Sequence, residues 1–356
     1  MQFGIAVSTA ADSWKTVARA EDVGYRRAWF YDTQMISADP FIAMGVAAVK
    51  TSRIRLGTGV LVPSNRIAAV TANSLATLNA LAPGRIDFGI GTGFSARRAM
   101  GLGAVKLADM ADYTETVMGL LRGETVEAEV EGRRRKLRLL NPDAGLINLK
   151  DPVGLYVSAM GPRARTLTAK LGAGWITLLR AAEGAQQQRD EMQAAWKAAG
   201  LAAGSLDTVA FGYGAILRPG ERADSPRVIA EVGAWAASLL RRAADEALLG
   251  LANLTPAPEW VQAAVAEYTA AIKRSEPADA RYMNNYRGHL VYLRPDERRF
   301  ITDQLIRYTS FTGTEDEVIG WMQTLRAAGY SEFTVCVLPG QEQVLEDWAR
   351  VMRAVG

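Results

Sequence analysis

The stretch "LAPGRIDFGIGTG", Leu81 to Gly93, contains a helix stop, a tight turn and then a run of mostly apolar residues. Pro-Gly punctuation ends a helix, and a strand lacking polar alternation is the kind that is buried on both faces of a parallel sheet. Just upstream, "AAVTANSLATLNALAPG" (Ala68–Gly84) repeats apolar residues at helical spacing, and before it "IRLGTGVLV" (Ile54–Val62) is another β-rich run. Strand, helix and strand in that order form a parallel crossover unit.

Working outward, the same alternation recurs. "QFGIAV", "RRAWFY", "GLYVSAM", "GWITLL", "VAFGYGAIL" and "EFTVCVL" read as further strands, separated by amphipathic segments such as "SWKTVARAEDVG" and "ARTLTAKLGAG". Eight strands alternating with helices predict an α/β fold, a (β/α)8 barrel, within one domain spanning residues 1–356. Thr314 with Glu317 forms a capping box ahead of the helix that leads into the last strand. Two stretches depart from the repeat. Residues 124–141 read as a hairpin insertion, and residues 223–307 as a mainly helical insertion that covers the C-terminal mouth as a lid or substrate pocket.

Composition narrows the function. With 49% hydrophobic and 22% charged residues, the chain is that of a globular protein. Its 41 basic and 38 acidic side chains leave a net charge of +3, too balanced for a nucleic-acid binder. The dense basic run "EGRRRKLRL" (Glu131–Leu139) follows the acidic "EAEVE" and reads as a solvated hairpin with cross-strand ion pairs. One cysteine (Cys336) and one histidine (His289) exclude an internal disulfide, a histidine-based metal site and a nucleophilic triad. The first residues open a strand without a leader pattern, and no apolar run reaches the roughly 18 residues of a membrane span. A cytoplasmic protein without membrane or nucleic-acid partners is expected.

In a parallel barrel the strand ends supply the reactive groups. "GIGTGF" ends the fourth strand, where alternate glycines would let a flat ring approach the backbone, or would simply form a turn. It is not a dinucleotide fingerprint, because the glycine register is wrong and no acidic residue follows at ribose distance. "SAMGPRARTLTAK" ends the fifth strand with Gly161 and Pro162 opening a helix and Arg163 in its first turn. Free amides plus a guanidinium suit a phosphate, while a merely solvated arginine is the other reading. Asp32, ending the second strand in "WFYDTQ", is a helix cap or turn residue on one reading and a ligand on the other. Gly59 before Val60 marks a bulge or a bare wall of the mouth.

The set "WFYDTQ", "TSRIRLGTGVLVPSNR…AVTANSLATLNALAPGRIDFGIGTG" and "LYVSAMGPRA" resembles the luciferase-like monooxygenase superfamily, barrel enzymes that bind reduced FMN or the deazaflavin coenzyme F-420. The resemblance covers residues 1 to about 180 and resumes at "FTGTEDEVIGWMQTLRAAG". It implies cofactor contacts from Asp32, Gly59, Val60, Val62, Thr92, Gly93 and Arg97, a cis peptide at Gly59-Val60, and a phosphate turn at Met160, Gly161, Arg163 and Ala164. It also implies a homodimer packed through the early barrel helices. Where the sugar-phosphate dehydrogenase branch carries a histidine and a glutamate, this chain has Thr33 and Phe94, so that reaction is set aside and Phe94 becomes a substrate contact.

Three functional readings follow. The first is a two-component monooxygenase using reduced FMN from a separate flavin reductase and oxygen on a small organic substrate, with Thr33, Gln34 and His289 as hydrogen-bonding candidates at the reacting centre; a structural role is the other reading of His289. The second is a deazaflavin-dependent reductase or dehydrogenase, favoured by "AMGPR". The third is a flavin-binding relative without catalysis.

Overall fold

The computed structural model describes residues 1–249 and 257–356. Eight parallel strands close into a barrel: β1 (Gln2–Val7), β2 (Arg27–Phe30), β3 (Arg55–Thr58), β4 (Ile86–Ile90), β7 (Gly154–Ser158), β8 (Gly174–Leu178), β9 (Thr208–Gly212) and β10 (Glu332–Val337). They run in the circular order β1-β10-β9-β8-β7-β4-β3-β2. Between β4 and β7 lies an antiparallel pair, β5 (Val126–Val130) and β6 (Arg133–Leu137).

The apolar strand runs account for this closure. β4, β9 and β10 are buried at every position, as strands wrapped by helices outside and side chains inside must be. The turn at Gly84 has φ +70, which glycine adopts without the penalty of a Cβ. The third strand is shorter than its apolar run. Its regular pairing stops at Thr58, the Gly59-Val60 peptide is cis, and the chain rejoins the barrel through a single bridge from Leu61 to Ile90.

The hairpin turns through Glu131 and Gly132, at φ 53 and 71, as a two-residue loop whose central residues are both left-handed. Glu127 stands opposite Lys136 and Glu129 opposite Arg134, and Arg134 reaches Glu127 at 3.7 Å. Both side chains of that pair are well exposed, so it adds little stability. The capping box on helix Glu315–Ala327 is present, with Thr314 Oγ1 accepting from Glu317 N and Glu317 Oε2 accepting from Thr314 N.

Between β9 and that helix stand helices Pro226–Ala236, Ser238–Leu249, Gln262–Lys273, Arg281–Tyr286 and Asp303–Thr309. Residues 250–256 of the expected 223–307 insertion lie outside the described residues. This segment has its own polar core. Arg241 donates to both oxygens of Glu297 at 2.8 and 2.6 Å, and Tyr268 and Arg294 join the same carboxylate.

At the opposite, N-terminal end of the strands the barrel is closed by charge. Arg27 pairs with Glu332 and Asp87, each at 2.9 Å, and Arg55 meets Asp87 at 2.6 Å. A cavity of about 700 Å³ there is lined by Arg27, Asp87 and Tyr156 among others. Polar residues at that end of such a barrel serve stability. Among the described residues no helix is long and apolar enough to cross a membrane, and no group of three or more His, Cys, Asp or Glu is placed to hold a metal.

Candidate functional site

The mouth is built from the loops that follow β2, β3, β4 and β7. Asp32 leaves β2 with its carboxylate buried. Oδ2 accepts from Val62 N and Asn65 Nδ2, each at 3.0 Å, and Oδ1 accepts from Arg66 Nη1 at 3.0 Å. Three of the carboxylate's four acceptor positions are therefore taken by the chain itself, and Asp32 braces the segment 60–66. Arg66 also reaches Asp39, which caps helix Pro40–Lys50 by accepting from Phe41 N. Asn65 and Arg66 stand in the quoted "VPSNR", yet nothing local in the sequence marks them as partners of a residue one strand earlier.

The glycines of "GIGTGF" each have a packing reason. A Cβ on Gly89 would lie 2.1 Å from Thr58 O, one on Gly91 2.7 Å from Val60 Cγ2, and one on Gly93 2.5 Å from Val62 Cγ1. Gly89 and Gly91 are bare because the wall formed by Thr58 and Val60 packs against them. Gly93 has φ +81 and opens the short helix Phe94–Arg98. Across the barrel wall Gly91 also faces Ser158, so the ends of β4 and β7 adjoin.

After β7 the helix Pro162–Lys170 begins at Gly161, with no side chain capping it. A Cβ on Gly161 would meet nothing within 4 Å. Arg163 is exposed and, among the described residues, makes no hydrogen bond or ion pair. Met160 is exposed, its sulfur accepting from Thr177, and Ala164 is half-buried. Unfilled space before bare amides, beside a cation with no protein partner, is what an incoming phosphate requires.

The remaining candidates divide. Gln34 joins the strand-two turn to the helix after β4: Oε1 accepts from Asn65 at 2.8 Å, and Nε2 donates to Met100 Sδ at 3.3 Å. Thr33 is turned to Ser37 in a local hydroxyl pair. The Thr92 carbonyl accepts from Val105 N at 2.9 Å. Phe94 is 45% exposed with the Arg98 guanidinium 3.9 Å from its ring centre. The Arg97 side chain runs past Gly93, donates to Gly103 O and lines a cleft of about 420 Å³ with Ser64, Lys106 and Tyr113.

The helical insertion reaches into the mouth. Arg98 donates to Asp245 at 2.8 Å, Tyr286 donates to the same oxygen at 3.1 Å, and Ser8, just past β1, donates to Leu290 O. Burial raises the Asp245 carboxyl against the pull of Arg98. His289 is 5% exposed with Nε2 2.9 Å from Ser95 Oγ. Burial, then the Arg241 charge, pushes its imidazole down to about 3, so it is neutral at ordinary pH.

Comparison with known proteins decides the family. The model for luciferase-like monooxygenases matches residues 5–332. The chain belongs to this family. Among curated luciferase-like relatives it is 38% identical over 140 residues to an F420-dependent glucose-6-phosphate dehydrogenase of Beutenbergia cavernae, covering 37% of this chain and 40% of that protein. It is 23% identical over 319 residues to a 5,10-methylenetetrahydromethanopterin reductase of Archaeoglobus fulgidus, covering 89% and 86%. The higher-identity match thus spans well under half of that relative's length. The fold agrees with a coenzyme F420-dependent tetrahydromethanopterin reductase from Methanopyrus kandleri, at TM-score 0.71, 18% identity and 98% of both chains. It also agrees with an FMN-bound Baeyer-Villiger monooxygenase component of Pseudomonas putida, at 0.66, 14% identity, 100% of this chain and 99% of the other.

Proposed function

We propose that the protein is a deazaflavin-dependent reductase or dehydrogenase acting on a small organic substrate at the barrel mouth. One observation carries the choice between coenzymes: the relatives matched at 38% and 34% identity are both named as F420-dependent, whereas the FMN-bound structure is similar at 14%. That reverses the order in which the sequence alone ranked the two chemistries. An FMN monooxygenase fed by a separate reductase is the second reading, supported by the fold shared with the FMN-bound component.

The residues present fit such a group. Gly161, Ala164 and Arg163 offer the phosphate an open helix N-terminus and a cation without a protein partner. Val60, Val62, Thr92 and Gly93 form the wall for the ring, and Asp32 keeps that wall in place through Val62 N. Once bound, a deazaflavin supplies hydride exchange, and the chain's task is to seat, orient and desolvate the reactants. Phe94 offers an apolar face to the substrate, and the helices between residues 223 and 307 shape its pocket. Thr33, Gln34 and His289 each spend a polar group on protein neighbours, so in this reading they order the mouth and do not transfer protons. A homodimer completes the reading, through Ile42, Val49, Val70 and Leu81, all exposed apolar residues on helices Pro40–Lys50 and Ala68–Leu81.

Parallel titration with the reduced deazaflavin and with reduced FMN, followed by admission of air, tests the choice. Preference for the deazaflavin and no oxygen response is expected. Preference for FMN with a transient oxygen adduct would transfer the function to the monooxygenase.

A further inference from the structure

We infer that His289 is a positioning residue that fixes the Ser95 hydroxyl with its proton directed away from the imidazole, so that Ser95 donates a hydrogen bond to an acceptor oxygen of the ligand at the mouth. The inference rests on the flavin-type reading of the site. It gives the mouth a polar hydrogen beside Phe94, where local sequence offers no acid.

The geometry supplies the direction of each bond. A neutral imidazole has one N–H and one bare nitrogen, and a hydroxyl has one donor and two acceptor positions. Nε2 of His289 lies 2.9 Å from Ser95 Oγ, and Nδ1 is buried without a hydrogen-bond partner among the described residues. Arg241 is the charge that acts on this ring. Its Nε and Nη2 are bound to the Glu297 carboxylate, while its Nη1 is likewise buried and unpartnered. An N–H buried without an acceptor costs more than a bare nitrogen left in the same place, so the unpartnered Nδ1 is the bare nitrogen and the ring proton sits on Nε2. His289 then donates to Ser95, and the serine proton is left for another acceptor.

Ser95 is placed to use it. It is the second residue of helix Phe94–Arg98, two residues past Gly93, and it is partly exposed although His289 is not. Among the described residues its hydroxyl has no other partner. The lid side of the contact is held by Leu290 O accepting from Ser8, by the Tyr286 ring 5.1 Å from the imidazole, and by left-handed backbone at Gly288 and Leu290. The seating of the insertion on the barrel therefore also sets the direction of a hydroxyl at the strand-four end.

His289 is the sole histidine, so its ring nitrogens are read without assignment variants. Long-range proton–nitrogen correlation on the full chain between pH 5 and 8 is expected to show the Nε2–H tautomer throughout, with shifts that move in Ser95→Ala. An Nδ1–H tautomer, or an imidazolium appearing near pH 6.5, overturns the inference. In titrations with oxidised deazaflavin and with oxidised FMN, Ser95→Ala is expected to weaken whichever coenzyme binds by about 3- to 10-fold, the worth of one neutral hydrogen bond. His289→Leu should cost the same factor with no further loss in the double variant, and His289→Gln, which keeps a donor near Nε2, should restore binding. Wild-type affinity in Ser95→Ala overturns the inference, and that variant stays readable if His289→Leu does not fold. Failure of the unaltered protein to bind either coenzyme would instead overturn the flavin-type reading, and the inference with it.

Discussion

Replacing Asp32 by alanine separates a brace from a ligand. The buried carboxylate accepts one charge-assisted bond from Arg66 and two further bonds from Val62 N and Asn65. At about 1.5–3 kcal/mol for the first and about 0.5–1.5 for each of the others, the sum is roughly 2.5–6 kcal/mol. The Arg66 side chain keeps 16% of its surface in water and retains Asp39, so the lower end applies, about 3 kcal/mol. With an unfolding entropy of about 2.1 cal/mol/K per residue over 356 residues, this lowers Tm by about 4 °C. Calorimetry and urea denaturation of Asp32→Ala, Arg66→Ala and the double variant measure it. A coupling of more than about 1.5 kcal/mol between the two sites is expected, with coenzyme affinity falling alongside stability. Asp32→Ala within about 0.5 kcal/mol of the parent, yet unable to bind the coenzyme, would refute the brace and restore a direct contact.

Further outcomes follow from the same geometry. Arg163→Ala should weaken coenzyme binding by about 1.5–3 kcal/mol and leave Tm unchanged, since the side chain has no protein partner to lose; isothermal titration reads it. Gly93→Val places a branched residue at φ +81 with its Cβ against Val62, a conformation costing about 1–3 kcal/mol before the clash, and should abolish binding while the barrel's circular dichroism persists. Burial pushes the Glu231 carboxyl up to about 7 in spite of Arg227 at 2.8 Å. Because the folded state then holds its proton more tightly than the unfolded one, this group's contribution is full below about pH 4.5 and is lost as pH rises to about 7. Glu231→Gln should therefore flatten the fall in urea midpoint between pH 5 and 8, and an unchanged slope would remove the assignment. Val70→Glu should dissociate the proposed dimer in analytical ultracentrifugation without loss of helix.

Much of the barrel was written locally. Apolar runs bounded by Pro-Gly stops, the Thr314–Glu317 box and the two-residue turn at Glu131 and Gly132 each involve neighbours in the chain, so their physics can be read along it. The helix start at Pro162 was legible for the same reason: a glycine, a proline and an arginine lie within a few residues. The partners of Asp32 were not legible, because Val62, Asn65 and Arg66 arrive from the next strand only when the barrel closes. Nor was the cause of the glycines at 89 and 91, whose missing side chains make room for Thr58 and Val60 of the neighbouring wall.

The sequence by itself thus determined the alternation of strands and helices, the impossibility of a disulfide within the chain, and the family, since those depend on composition and short-range pattern. Tertiary structure alone decided which polar groups are bound by distant parts of the chain. It turned Asp32 and Gln34 inward, tied Arg98 to Asp245, and set a neutral His289 from the insertion onto Ser95. Hydrogen-bond direction and desolvation depend on distances between residues far apart in the chain, and folding is what sets those distances.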